Sequence, residues 1–93
     1  MTNSCVGFVS EFIPSYVEGH RAGTLVIEQG RRKKTSTKLA FRAMPSVYDA
    51  CMKLKKEDYV QVTFKVTSYE RRGDKGNYWI TLLYVQEILN LKD

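Results

Sequence analysis

Two clusters of cations, each beside aromatic rings, are the residues of this 93-residue chain best equipped for chemistry. The first is Arg31-Arg32-Lys33-Lys34, followed at short range by Lys38 and Arg42. The second is Arg71, Arg72 and Lys75, with Tyr69 just before it and Tyr78-Trp79 just after. Cations spaced along a surface match the phosphates of a nucleic acid, and aromatic planes beside them match its bases. Four adjacent like charges repel one another and stay out of a core, so Arg31 to Lys34 form a solvated hairpin tip. Such a run exceeds what solubility requires, so a ligand is expected there. Fifteen Lys+Arg against ten Asp+Glu leave a formal charge of +5. That bias favours a polyanionic partner, nucleic acid before an anionic membrane surface.

Other chemistries find no residues to carry them. His20 is the only histidine and has no Cys or carboxylate cluster near it, so no metal site is expected. The sequence holds no Ser-His-Asp set, no paired acids at helical spacing and no phosphate-cradling Gly loop. Neither an enzyme nor a cofactor is expected. Cys5 and Cys51 have no metal-like spacing and read as buried thiols in a reducing compartment. No apolar run approaches the roughly 18 residues that span a bilayer, and no signal peptide is visible at Met1-Thr2-Asn3-Ser4. The expected setting is cytoplasmic, with no membrane partner.

The elements that must position these clusters are mostly strands. From Tyr59 to Tyr69 the chain alternates strictly: Val60, Val62, Phe64 and Val66 on one face, Gln61, Thr63, Lys65 and Thr67 on the other. A charged loop from Glu70 to Asn77, with Gly73 and Gly76, connects it to an apolar strand from Tyr78 to Val85. Gln86 to Asp93 either extends that strand or trails off. Upstream, Cys5 to Phe12 is a first strand with Val6, Phe8 and Phe12 on one face, a bend or bulge at Gly7, and an end at Pro14. Ser15 to Gly23 is a loop containing Tyr16, His20 and Arg21, and Thr24 to Glu28 is a second strand. Leu39 to Ala43 is a third, with Leu39, Phe41 and Ala43 inward and Lys38, Ala40 and Arg42 outward. Val47, Ala50, Cys51 and Leu54 recur at helical spacing, predicting a helix from Val47 to Lys55 with Ser46 as N-cap. Lys53, Lys55 and Lys56 suit its C-terminus and are set aside as contacts.

The order is therefore β-β-β-α-β-β in one domain covering residues 1–93. Five short strands avoid open edges by closing into an all-β barrel, with the helix plugging one end. Order, third strand and last hairpin together resemble the small OB-fold single-stranded DNA-binding proteins of bacteria and their phages. The matching pieces are Leu54-Lys55-Lys56-Glu57-Asp58-Tyr59, Tyr69-Glu70-Arg71-Arg72-Gly73, Tyr78-Trp79 and Lys38-Leu39-Ala40-Phe41. Where that group usually carries a Gly before the fourth strand, this chain has Glu57-Asp58.

The resemblance implies a strand of nucleic acid held on the second and third strands, between the first and last hairpin loops. Arg31, Arg32, Lys33, Lys34, Lys38 and Arg42 would line one side, and Lys65, Arg71, Arg72 and Lys75 the other. Tyr16 and Tyr69 lack an evident core role and are the expected stacking rings. Tyr59 shares the parity of Tyr69 and suits a subunit contact equally. Trp79 stays open between core and ligand, because both faces of its strand are apolar; Phe8, Phe12, Phe41 and Phe64 are expected in the core. The implied function is sequence-tolerant coating of single-stranded DNA, preferred over RNA, in replication or recombination, in a bacterial cell or phage-infected host. An RNA-binding domain and a protein-interaction adaptor with incidental basic loops are the alternatives. The spare apolar face of the last strand predicts a homodimer or higher homo-oligomer.

Overall fold

Alternation in the sequence becomes one inward face on each of five strands. The computed structural model describes residues 2–30 and 37–91. Its elements are β1 (Thr2–Val17), β2 (His20–Gln29), β3 (Thr37–Ala43), α1 (Pro45–Met52), β4 (Tyr59–Gly73) and β5 (Gly76–Asn90). The strands close in the order β1-β2-β3-β5-β4. Every described pairing is antiparallel except β3 with β5, which is parallel. A closed five-stranded barrel with one short helix between β3 and β4 is the OB-fold, as the element order predicts.

The core is Val9, Leu25, Ile27, Phe41, Ala43, Cys51, Val60, Val62 and Val85, with Phe12, Leu39, Val47, Leu54, Phe64 and Leu83 packed against it. Phe41 and Phe64 meet edge-on at 5.1 Å. Each large side chain buried here contributes about 1.5–3 kcal/mol relative to exposure. The helix packs on β2, β3 and β5 and closes one end of the barrel through Cys51.

β1 departs most from the sequence reading. It runs through Pro14, which pairs with Gly23 of β2. Pairing with β4 stops at Phe8, so beyond that point β1 has no β4 ladder to supply and a missing N–H is tolerated. The expected loop after Pro14 is a hairpin turning at Glu18-Gly19, both with positive φ (50° and 81°), the geometry of a type I′ turn. The inward set in the first half is Cys5, Gly7 and Val9, not Val6 and Phe8. Val6 is exposed, and Phe8 lies outside the core against Tyr59 at 4.9 Å. A register shift between Val9 and Glu11, rather than at Gly7, then flips the strand and brings Phe12 inward. Gly7 serves close approach instead: a Cβ there would stand 2.5 Å from Ile27 Cγ2 and 2.7 Å from the Glu28 carbonyl.

The helix starts and ends earlier than its apolar spacing predicts. Met44 is the N-cap with no side-chain capping bond, and Pro45 fills the first helical position, where a missing N–H costs nothing. Ser46 is therefore inside the helix, and Ala50 is exposed. Lys53 is the C-cap, its N–H donating to the Asp49 carbonyl at 3.3 Å, while the Leu54 N–H donates to the Cys51 carbonyl at 3.1 Å. The turn into β4 places Glu57 at φ 80°, a left-handed conformation that favours glycine. Its N–H donates to the Val9 carbonyl at 2.8 Å, and the Val9 N–H donates to the Asp58 carbonyl at 2.8 Å. The Asp58 carboxylate accepts from the Lys55 N–H at 2.9 Å.

The last hairpin is longer than predicted. Glu70 to Gly73 and Gly76-Asn77 are paired strand rather than loop, and only Asp74-Lys75 turn the chain. β5 continues to Asn90, with an extra residue, Gln86, where Thr63 pairs with Glu87 but Phe64 with Val85.

Candidate nucleic-acid interface

Register decides which side chains share a surface. Opposite residues of a ladder lie on one face, so β4 and β5 form two parallel rows. One row carries the pairs Lys65–Tyr84, Thr67–Leu82, Tyr69–Ile80 and Arg71–Tyr78. The other carries Phe64–Val85, Val66–Leu83, Ser68–Thr81, Glu70–Trp79 and Arg72–Asn77. The second row begins in the core at Phe64 and Val85; the first is therefore the outer surface of the barrel. β3 meets this surface through its single register position with β5, Arg42 opposite Tyr84. Lys38, Ala40 and Arg42 point outward, paired with Glu28, Val26 and Thr24 of β2.

The outer surface of β3, β5 and β4 thus carries four of the predicted cations, Lys38, Arg42, Lys65 and Arg71, all exposed. Interleaved with them are the rings of Tyr84, Tyr69 and Tyr78, two of them exposed and Tyr84 half-buried. Tyr69 and Arg71 share a face and are successive positions along it, as their parity predicts. Arg72 falls on the opposite face. Lys75 sits in the turn at the tip. The Tyr78 ring stands close to Gly73, where a Cβ would come within 2.9 Å of its Cε1, so a glycine there leaves the ring its place near the tip.

Trp79 is not a core residue. It is 68% exposed, on the row that leaves the barrel interior once β5 has parted from β3. Ser68 and Thr81 on that same row share a hydrogen bond at 2.9 Å between their hydroxyls.

Strand direction sorts the remaining residues by end. β5 is parallel to β3, so the Asp74-Lys75 turn lies at the end where β2 finishes at Gln29 and β3 begins at Thr37. Arg31, Arg32, Lys33 and Lys34 fall between those two residues and lie outside the described residues. Tyr16 is in β1, not in a loop, and pairs with Arg21 beside the Glu18-Gly19 turn. That turn lies at the opposite, helix-bearing end, so the structure does not join Tyr16 to the tip of the β4–β5 arm. Tyr16 is 73% exposed. Arg21 stands over the Tyr48 ring at 5.9 Å, and Phe12 meets that ring edge-on at 5.8 Å. This cation is engaged by the fold itself.

Both cysteines are free; burial pushes the Cys51 thiol up to about 11 and the Cys5 thiol upward as well. No group of His, Cys, Asp and Glu among the described residues could hold a metal ion.

Sequence reasoning missed Tyr84 and the groove below it, where Thr24, Ala40, Phe41 and Arg42 face Thr81, Leu82 and Leu83. The groove exists because two strands distant in sequence part from each other, and no local pattern records that. For Tyr84 a signal was present: it shares parity with Tyr78.

No protein-family model matches the chain, and no curated protein matches it in sequence. Solved structures do match its fold. The mitochondrial single-stranded DNA-binding protein Rim1 of S. cerevisiae superimposes with a TM-score of 0.75 at 20% identity, over 100% of this chain and 96% of its own. A second crystal form of Rim1 gives 0.75 at 18% identity, over 100% and 97%. The dimeric N-terminal domain of PriB from Thermoanaerobacter tencongensis gives 0.69 at 19% identity, over 99% and 97%. The structures that share this OB-fold end to end thus include proteins named for binding single-stranded DNA.

Proposed function

We propose that this chain is a non-enzymatic binding protein that coats single-stranded DNA with little regard to sequence, during replication or recombination. The observation that carries the proposal is the outer surface of β3, β5 and β4, where Lys38, Arg42, Lys65 and Arg71 alternate with Tyr69, Tyr78 and Tyr84. Affinity on such a surface comes from released counterions and from stacking, and neither discriminates strongly between bases. The fold it shares with Rim1, a single-stranded DNA-binding protein by name, supports the same reading. Its proposed setting is the cytoplasm of a bacterial cell or of a phage-infected host.

A gel shift at low salt with a single strand, competed by RNA of the same sequence, tests this. DNA should be retained against an equal concentration of RNA. Preferential loss to RNA would make the chain an RNA-binding domain, and no shift at all would make it a protein adaptor.

The working unit is proposed to be a homodimer or larger. Gln61 pairs with Val6 on one side and Leu89 on the other, which sets those apolar residues in one outward row across three strands. Next to it are Phe8 and Tyr59, and Leu91, whose N–H donates to the Tyr59 carbonyl at 2.9 Å. Val6, Tyr59, Leu89 and Leu91 are all exposed. Such a patch lies on the side of β5 away from the arm and leaves the proposed DNA surface free. The PriB domain of the same fold is described as dimeric. Sedimentation should show a dimer or more at tens of micromolar, where ordinary dimers persist; a monomer there would exclude it.

A further inference from the structure

The geometry points to a nucleobase pocket in the fork where β5 leaves β3. This rests on the proposed single-strand binding and names how that surface takes a base. β4 and β5 stay paired from Val60–Asn90 to the Gly73–Gly76 turn, whereas β3 and β5 share only Arg42–Tyr84. Below that pair the strands part, leaving a groove of about 420 Å³ between Ala40-Phe41-Arg42 on one wall and Thr81-Leu82-Leu83 on the other, with Thr24 beside them. Small-ligand pockets begin at roughly 300 Å³, so a nucleoside fits this space.

The walls match a base and little else that a polyanion carries. Ala40, Leu82 and Leu83 supply apolar surface for its faces, over a floor closed by Phe41. The Thr24 hydroxyl can donate or accept at its edge, and the Thr81 hydroxyl, shared with Ser68, keeps a further lone pair for it, so they suit more than one base. Arg42 is exposed at the lining, and a guanidinium there pairs with the phosphate attached to an inserted base. No acidic side chain among the described residues lines the groove. Phe41 is fully buried and held edge-on by Phe64, so the floor is fixed before the ligand arrives. Ala40 is the determinant of depth. Its side chain points outward with Lys38 and Arg42, and any longer aliphatic chain there would occupy the groove without entering the core.

Ala40→Leu is therefore the test, read with two probes of equal charge: an oligo-dT strand and a strand of the same length made of abasic units. The parent should hold oligo-dT more tightly than the abasic strand. Ala40→Leu should weaken oligo-dT at least fivefold, about 1 kcal/mol for one base kept out of the groove, and leave the abasic strand within about twofold. Ala40→Ser, which adds almost no bulk, should bind both like the parent. Oligo-dT affinity unchanged in Ala40→Leu would overturn the pocket while leaving single-strand binding standing. Equal weakening of both probes would also overturn it, because the change would then act on the backbone path. A parent that binds neither probe would remove the proposed function and the pocket together.

Discussion

The barrel half and the arm half of the β4–β5 hairpin are one continuous ladder with opposite fates. From Val60 to Phe64 the inward row of β4 packs into the core. From Lys65 to Gly73 every residue of β4 is exposed, although pairing with β5 continues to the turn. Ladder pairing runs through both halves, broken only by the extra residue at Gln86; what differs is whether a second layer lies beneath. Strand formation and burial are therefore separate in this protein. The half with no layer beneath is rich in rings and cations, which folding alone does not require.

The largest effect separating the two halves should come from Phe41, which is fully buried beneath β3. Phe41→Ala should cost about 3–5 kcal/mol, a large part of the roughly 5–15 kcal/mol that holds a typical domain. Urea unfolding checks it, and a cost below about 1 kcal/mol, the typical value for any point mutant, would show that the barrel is not organised around this ring. Next comes the basic run. Replacing Arg31, Arg32, Lys33 and Lys34 with Ala should leave unfolding unchanged, since four adjacent like charges repel one another and stay out of a core. Single-strand affinity should fall on the order of tenfold or more at low salt, and the salt slope should flatten by about 0.7 for each phosphate no longer engaged. An unaltered slope would reduce the run to a solvated tip.

Tyr69 sharpens the contrast within the arm. Tyr69→Ala should weaken binding about 5- to 150-fold, the value of one stacked base, while Tyr69→Phe binds like the parent. Stability of both should stay within about 0.5 kcal/mol, as for exposed positions generally. Unfolding of Tyr69→Ala would mean the arm ring supports the barrel after all.

The smallest effect is expected at the barrel's own turn. Glu57 holds φ at 80°, which costs a non-glycine residue roughly 1–2 kcal/mol. Glycine recovers that cost but gives up about 0.5–1 kcal/mol to chain entropy. Against Glu57→Ala, which loses the same side-chain interaction, Glu57→Gly should therefore be more stable by about 0.5 kcal/mol, the balance of those two terms, seen as a slightly higher midpoint. A midpoint below that of Glu57→Ala would mean that the left-handed backbone at residue 57 carries no such strain.

Legibility followed the same division. Alternation in 60–64 and 39–43 identified β3, β4 and their inward faces, because burial on one side leaves a period-two record. It misled in β1, where the shift at Ser10 changes parity midway and Val6, Phe8 and Phe12 share a face only on paper. Gly73, Gly76 and the charges between Glu70 and Asn77 looked like a loop, since composition reports exposure and these strand residues are exposed. For Trp79 the alternation ran out, as an arm with no layer beneath it has no inside. The outer row was half visible: Tyr69 and Arg71 share parity, but their meeting with Arg42 through Tyr84 depends on a β3–β5 pairing between distant segments.

A titration of fluorescent oligo-dT with this protein, repeated at rising salt beside a matched duplex, tests the central claim most directly. Binding of the single strand should be saturable and that of the duplex weak. Affinity should fall linearly on a log–log plot with salt, at about 0.7 per phosphate engaged. No single-strand binding at low salt, or equal affinity for the duplex, would contradict the claim.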